Sequence, residues 1–200
     1  AFNLTYPTKD VNDFVDQMKQ NEEIYKNIFV KTLTNEEATK QNISQLEGFL
    51  EDVTINDVVV IFIAGHGVLD ENYNYYFGTY DMDFTNPTEK GLAYESIEEL
   101  LTQIKAIKKL LIMDTCHSGE VDKDEIKEVT TPDDDEEDGD IEFRSVATGY
   151  KEENAFGLEN SREMVESLFS DIRQGSGATV ISSAGGAEFA MESDQWKNGL

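Results

Sequence analysis

Two hundred residues are enough for one domain with a real core. A formal net charge of −26 excludes nucleic acid and anionic membrane as partners, because both need basic surface; basic peptides and divalent cations remain. No apolar run approaches the roughly 18 residues of a membrane span, no signal-peptide pattern opens the sequence, and a lone cysteine leaves no internal disulfide, so a cytoplasmic, reducing location is expected.

In chain order, Val11, Phe14, Val15 and Met18 form the apolar stripe of a helix over Thr8 to Gln20. Ile28 to Leu33 reads as a strand. Thr34-Asn35-Glu36-Glu37 has the form of a capping box, opening a helix to about Asp52 with Ile43, Leu46, Phe49 and Leu50 inward. Val58 to Ala64 is a strongly apolar strand running into Gly65-His66-Gly67. The aromatic stretch Tyr73 to Tyr80 is expected to form a hairpin beside the His66 loop, with Tyr73, Tyr75 and Tyr76 packing it. Asp81 to Leu92 reads as loop. Ser96-Ile97-Glu98-Glu99 is a second capping box, followed by the stripe Ile97, Leu100, Leu101 and Ile104. Leu110 to Met113 is a buried strand that ends in Asp114-Thr115-Cys116-His117-Ser118-Gly119.

After Gly119 the composition changes. Glu120 to Glu142 holds thirteen acidic residues against two lysines, a local charge of −11, including the run Asp133 to Asp138. Such a block repels itself and has little apolar surface to bury, so a mobile insertion over about 120–151 is expected. A further stripe, Met164, Val165, Leu168, Phe169 and Ile172, reads as a helix stopped by Gly175, and Ala178 to Ser183 as a last strand. Alternating strands and helices imply an α/β fold with a mainly parallel sheet and helices on both faces. The start on a pre-helix loop and the end on Trp196 to Leu200 imply a fragment of a longer chain with further domains.

The chemistry lies at two strand ends. Small, polar and reactive residues at the carboxyl ends of parallel strands sit where open α/β sheets place their ligands. A thiol is a weak nucleophile at its free pKa of about 8.5, and a neighbouring imidazole makes thiolate available and later supplies the leaving group's proton. Cys116 and His66 meet that need. Gly67 and Gly119 let backbone approach a substrate closely, and the N–H groups of Gly67 and Cys116 would form an oxyanion hole. Against this stand plainer readings: a small buried hydrophobe for Cys116 and a structural role for His117; Trp196 either walls the substrate cleft or simply packs.

Taken together, Gly65-His66-Gly67 after one apolar strand and Asp114 to Gly119 after another, 50 residues from histidine to cysteine, resemble the caspase-like cysteine peptidases. Within them the pattern is similar to the metacaspase and bacterial orthocaspase branch. The resemblance implies a caspase/hemoglobinase fold across residues 1–200, lacking its first strand and last helix, and peptide-bond hydrolysis with Cys116 as nucleophile and His66 as general base and acid. It also places Ser182 to Gly185 beside the substrate cleft. Animal caspases carry a glutamine two residues before the nucleophile, where this chain has Asp114, and a pocket arginine six residues ahead of the first helix's acid. With Asp10 as that acid, the corresponding residue is Leu4. The resemblance therefore implies a first pocket lined by Asp10 and Asp114, taking arginine or lysine and not aspartate; the plainer reading of Asp10 is a helix cap. No cofactor is required. Metacaspase resemblance raises calcium as an activator, with Asp81, Asp83, Asp122 and Asp124 as candidate ligands, and self-cleavage at Lys123, Lys127, Arg144 or Lys151. The alternative is a catalytically silent caspase-like module that binds a basic partner.

Overall fold

The computed structural model describes residues 4–21, 23–70, 72, 74–118, 141–143, 167, 171–183, 191–193 and 198–199, with backbone alone at 116–118, 141–143, 191–193 and 198–199. Helix α1 (Pro7–Lys19) leads to a 3-10 turn (Asn35–Glu37), α2 (Lys40–Ser44) and α3 (Leu46–Leu50). Then come β1 (Val58–Leu69), β2 (Tyr75–Phe77), α4 (Pro87–Lys90), β3 (Leu92–Ala93), α5 (Tyr94–Gln103) and β4 (Lys108–Ser118). The remaining strands are β5 (Ile141–Phe143), β6 (Thr179–Ser182), β7 (Met191–Ser193) and β8 (Asn198–Gly199).

The main sheet has the order β3-β2-β1-β4-β6. It is mixed, not simply parallel. β1 runs parallel to β4 from Val58↔Lys108 to Val68↔Ser118, and β4 parallel to β6 from Leu110↔Thr179 to Met113↔Ser182. β2 and β3 join as short antiparallel strands. The long central pair is the expected outcome of its β-branched and aromatic composition.

Alternation along β4 sorts residues between two faces. Leu111 and Met113, both fully buried, face a cluster with Tyr75, Tyr94, Ile97, Leu101 and Ile172. This is the core, beneath α5 and the helical segment 171–176. Lys109 ties that layer together. Its ammonium donates to the carbonyls of Leu101 (2.6 Å) and Ser176 (3.0 Å), acceptors near two helix ends. On the opposite face, Phe14 of α1 stacks on Phe62 of β1 with ring centroids 5.0 Å apart. Helices therefore cover both faces.

Several expectations are corrected. Ile28 to Leu33 is not a strand: it runs without ladder pairing, and Phe29 is 80% exposed. A strand needs a partner edge, and among the described residues none pairs with this segment. Thr34 makes no side-chain cap. Asn35, at φ 49°, turns the chain out of a helical path, and the working cap is Thr39, whose hydroxyl accepts from the Asn42 N–H at 3.2 Å. The expected long helix breaks at Gln45 and ends at Leu50, leaving Phe49 exposed. Ser96 is no cap either, because the chain passes from β3 straight into α5 at Tyr94 with Ala93 as N-cap. The later helix ends at Gly177, φ 70°, and not at Gly175; its N–H donates to the Arg173 carbonyl.

The stretch from Asp81 to Leu92 contains the single turn α4, and the aromatic hairpin is shorter than expected, three residues pairing with the end of β1 itself. A second sheet, β5-β7-β8, has no forerunner in the sequence pattern. Apart from β5, the acidic insertion lies outside the described residues, as do Trp196 and most of the Met164 to Phe169 stripe.

Candidate active site

The carboxyl ends of parallel strands are where such sheets place a ligand site; here β1 and β4 run side by side to Val68↔Ser118, while β6 stops at the level of Met113. The strands do not stop at the apolar runs. β1 continues through His66 to Leu69, and β4 through Cys116 to Ser118. His66 thus belongs to the ladder, not to a loop after it, and Cys116 is its register partner. Adjacent strands lie about 4.8 Å apart, so the two residues are nearest neighbours across the sheet. The flanking pairs are Ala64↔Asp114, Gly65↔Thr115 and Gly67↔His117.

Paired residues of parallel strands share a face, and so do residues two apart along a strand. Phe62 lies under α1, so Ala64, His66, Ile112, Asp114 and Cys116 belong to the α1 face of the sheet. Asp114 is only 8% exposed, opposite the small side chain of Ala64. Asp10 sits on the covering helix, one turn before Phe14 and on the same stripe. It is the fourth residue of α1 and so not its N-cap, which is Tyr6, although a carboxylate in a first turn also suits the helix dipole. The structure brings His66, Asp114 and Cys116 together on one face and carries Asp10 on the helix over that face.

Gly67 is buried between ladder partners Phe77 and His117. Ser183, at the end of β6, donates its N–H to the Met113 carbonyl at 2.9 Å, which holds the start of the Ser182 to Gly185 segment against the cysteine strand. Behind Cys116, Thr115 points into the core, where its hydroxyl and that of Tyr75 lie 3.1 Å apart.

The segment after β2 forms a wall around His66. The Gly78 N–H donates to the His66 carbonyl at 2.8 Å, and the Phe84 ring meets the imidazole nearly perpendicularly, centroids 5.5 Å apart. Asp81 is paired with Lys90 at 3.2 Å, and the Thr79 hydroxyl donates to the Lys90 carbonyl at 3.1 Å. Asp83 accepts from the Thr85 N–H (2.9 Å) and hydroxyl (2.8 Å), which holds its carboxyl below the ordinary range. The two proposed calcium ligands that are described are therefore engaged within this loop; Asp122 and Asp124 lie outside the described residues. Among the described residues, no three His, Cys, Asp or Glu side chains gather as a metal site would require.

Sequence reasoning singled out His66, Cys116, Asp114 and Asp10 as candidates but missed Gly78 and Phe84 as neighbours of the histidine. Gly78 carried a faint signal as the boundary of an aromatic run. Phe84 carried none, since it reaches His66 only through the fold.

A family model for the caspase domain matches residues 2–197. The chain belongs to the caspase-domain family. Its mixed five-stranded sheet between helices is a caspase-like α/β fold, and membership supports a cysteine-peptidase hydrolase. No curated protein matches the chain. Sixteen chains of known structure do, among them protein GSU0716 from Geobacter sulfurreducens: TM-score 0.56, 16% identity, over 92% of this chain. This caspase domain spans 66% of that chain's length, and at such identity the likeness concerns the fold alone. No helix among the described residues is long and apolar enough to cross a membrane.

Proposed function

We propose that this caspase domain is a cysteine endopeptidase of metacaspase or orthocaspase type, cleaving after arginine or lysine through a Cys116–His66 dyad. The observation that carries the proposal is the ladder pairing of His66 with Cys116 on one face of the sheet. His66 takes the thiol proton, and the sulfur attacks the scissile carbonyl to form a tetrahedral oxyanion. The N–H groups of Gly67 and Cys116 receive that oxyanion. The imidazolium then protonates the leaving amine, and water, deprotonated by the same imidazole, hydrolyses the thioester and restores the thiol.

Specificity follows from charge. Asp114, buried beside the nucleophile, and Asp10, on the covering helix, would repel an aspartate and pair with a guanidinium or ammonium group. At an effective dielectric of 20, each contact at 4 Å is worth on the order of 4 kcal/mol before desolvation. Basic residues within the acidic insertion, Lys123, Lys127, Arg144 and Lys151, are the proposed self-cleavage sites, and calcium is proposed as an activator. Calorimetry without binding at millimolar calcium would remove the latter.

The decisive experiment compares hydrolysis of arginyl, lysyl and aspartyl peptides by the wild type, Cys116→Ala and His66→Ala. Arginyl and lysyl peptides are cleaved by the wild type alone, with losses of at least about 10⁴-fold in either variant. Substantial activity in Cys116→Ala ends the dyad assignment, and cleavage after aspartate alone ends the pocket assignment. A wild type silent towards every peptide and electrophilic probe returns the chain to the alternative of an interaction module.

A further inference from the structure

We infer that the segment following β2 sets the orientation of the His66 imidazole, with Gly78 and Phe84 as positioning residues for the proposed base. The inference rests on the assignment of His66 as that base, but its geometry stands independently.

Gly78 continues the β1–β2 ladder by one step beyond Gly67↔Phe77, donating to the His66 carbonyl at 2.8 Å. Residues facing each other across a regular antiparallel pair keep their Cβ atoms about 4.5–5.5 Å apart. Here a Cβ on Gly78 would lie 3.2 Å from the His66 Cβ and 3.3 Å from the His66 carbonyl oxygen. The two strands close on each other at the histidine more tightly than nine in ten Cβ contacts, so a methyl at Gly78 would push the root of the His66 side chain aside by a few tenths of an ångström. Glycine lets the backbone after β2 press against that root without displacing it.

The ring end of His66 is met from the same segment. Phe84 stands edge to face with the imidazole, at 85° between ring planes. The turn carrying Phe84 is built by its two neighbours, Asp83 accepting from both Thr85 groups, and is closed by the Asn86 N–H donating to the Asp83 carbonyl at 3.0 Å. Asp81–Lys90 and Thr79–Lys90 tie the two ends of the segment together. Backbone contact at Cβ and ring contact at the imidazole act on both torsions of one side chain. Turn, ion pair and glycine chemistry thus converge on a ring that must meet a thiol one strand away.

The test uses the whole chain with isotopically labelled histidine, its two histidines assigned through His117→Gln. Phe84→Leu should shift the His66 ring resonances by removing the aromatic ring current, and Phe84→Tyr should restore them. Gly78→Ala should shift them from the other side. In turnover, Phe84→Leu and Gly78→Ala should lower kcat by about 10- to 100-fold with little change in KM, as misplacement of a catalytic group by up to 1 Å does. Phe84→Tyr should recover most of that rate. Unchanged His66 resonances in Phe84→Leu overturn the inference, as does a resonance shift with unaltered kcat, or a rate that Phe84→Tyr leaves low. Should Phe84→Leu fail to fold, Gly78→Ala and Phe84→Tyr decide the matter by the same readings. A His66→Ala variant that keeps full activity would remove the dyad instead, while the resonance measurements would still report the contact.

Discussion

The two faces of the central sheet are built from the same two strands and could hardly differ more. Beneath α5, the odd-numbered residues of β4 are sealed: Leu111 and Met113 are wholly buried against Leu101, Tyr94 and Ile172. Beneath α1, the even-numbered residues lead to Asp114 and Cys116, with partly buried His66 alongside. One face spends its residues on packing and the other carries the proposed dyad. The strand period of two separates the tasks, and a one-residue slip in register would exchange them. A rigid strand pair fastened on its apolar side can therefore hold the proposed nucleophile and base on the other without placing either in a loop.

The comparison predicts opposite signatures on the two faces. The largest effect is expected on the reactive side. Asp114→Ala should lower kcat/KM for arginyl peptides by roughly 10²–10³-fold, the cost of removing one partner of a buried ion pair. Melting temperature and the alkylation of Cys116 by iodoacetamide should be preserved. Equal losses on arginyl and uncharged substrates would erase the specificity role.

On the packing side, Leu101→Ala should destabilise the domain by about 2–5 kcal/mol, through lost burial and the cavity left behind. Denaturant titration measures this. At temperatures where the variant remains folded, kcat should match the wild type. A folded variant with badly impaired kcat would show that the faces are less separate than their burial implies.

Tyr75 probes the seam between them. Its hydroxyl meets that of Thr115, the residue between Asp114 and Cys116 but pointing into the core. Tyr75→Phe should cost about 1 kcal/mol in chemical denaturation, with kcat changed less than twofold. A large kcat effect would mean that this buried bond tunes the nucleophile's strand.

The smallest effect concerns pH. The Thr85 hydroxyl and N–H hold the Asp83 carboxyl below its usual range. A depressed carboxylate stabilises the folded turn above the unfolded-state pKa of about 3.9, and that contribution disappears as pH falls through the lower folded value. The Thr85 amide resonance should thus stay constant from pH 7 to 5 and move only in the acid limb below. Movement near neutrality would assign the turn to a different group. Asp83 is exposed, so global stability should hardly register the change.

Much of the candidate site was legible in the sequence because the candidate residues followed apolar runs long enough to be buried strands. Val58 to Ala64 and Leu110 to Met113 declared themselves by composition, and His66 and Cys116 came with them. Helices α1 and α5 were equally legible, since a 3.6-residue stripe is a local property. Capping boxes were less informative. Thr34 and Ser96 had the right spacing but the wrong surroundings, because Asn35 turned the chain and β3 ran straight into α5.

What only the tertiary structure decided is everything that depends on a partner strand. Ile28 to Leu33 has strand composition and forms no strand, while β1 and β4 persist through glycine, histidine and cysteine because each satisfies the other's backbone. The registration of His66 on Cys116, and the approach of Gly78 and Phe84 to the same histidine, arise from contacts between segments far apart or turned back on themselves. Apolar periodicity reports which side of an element is buried. It carries no information on which residue of another element lies opposite, and that is settled only when the backbone hydrogen bonds of neighbouring strands close together.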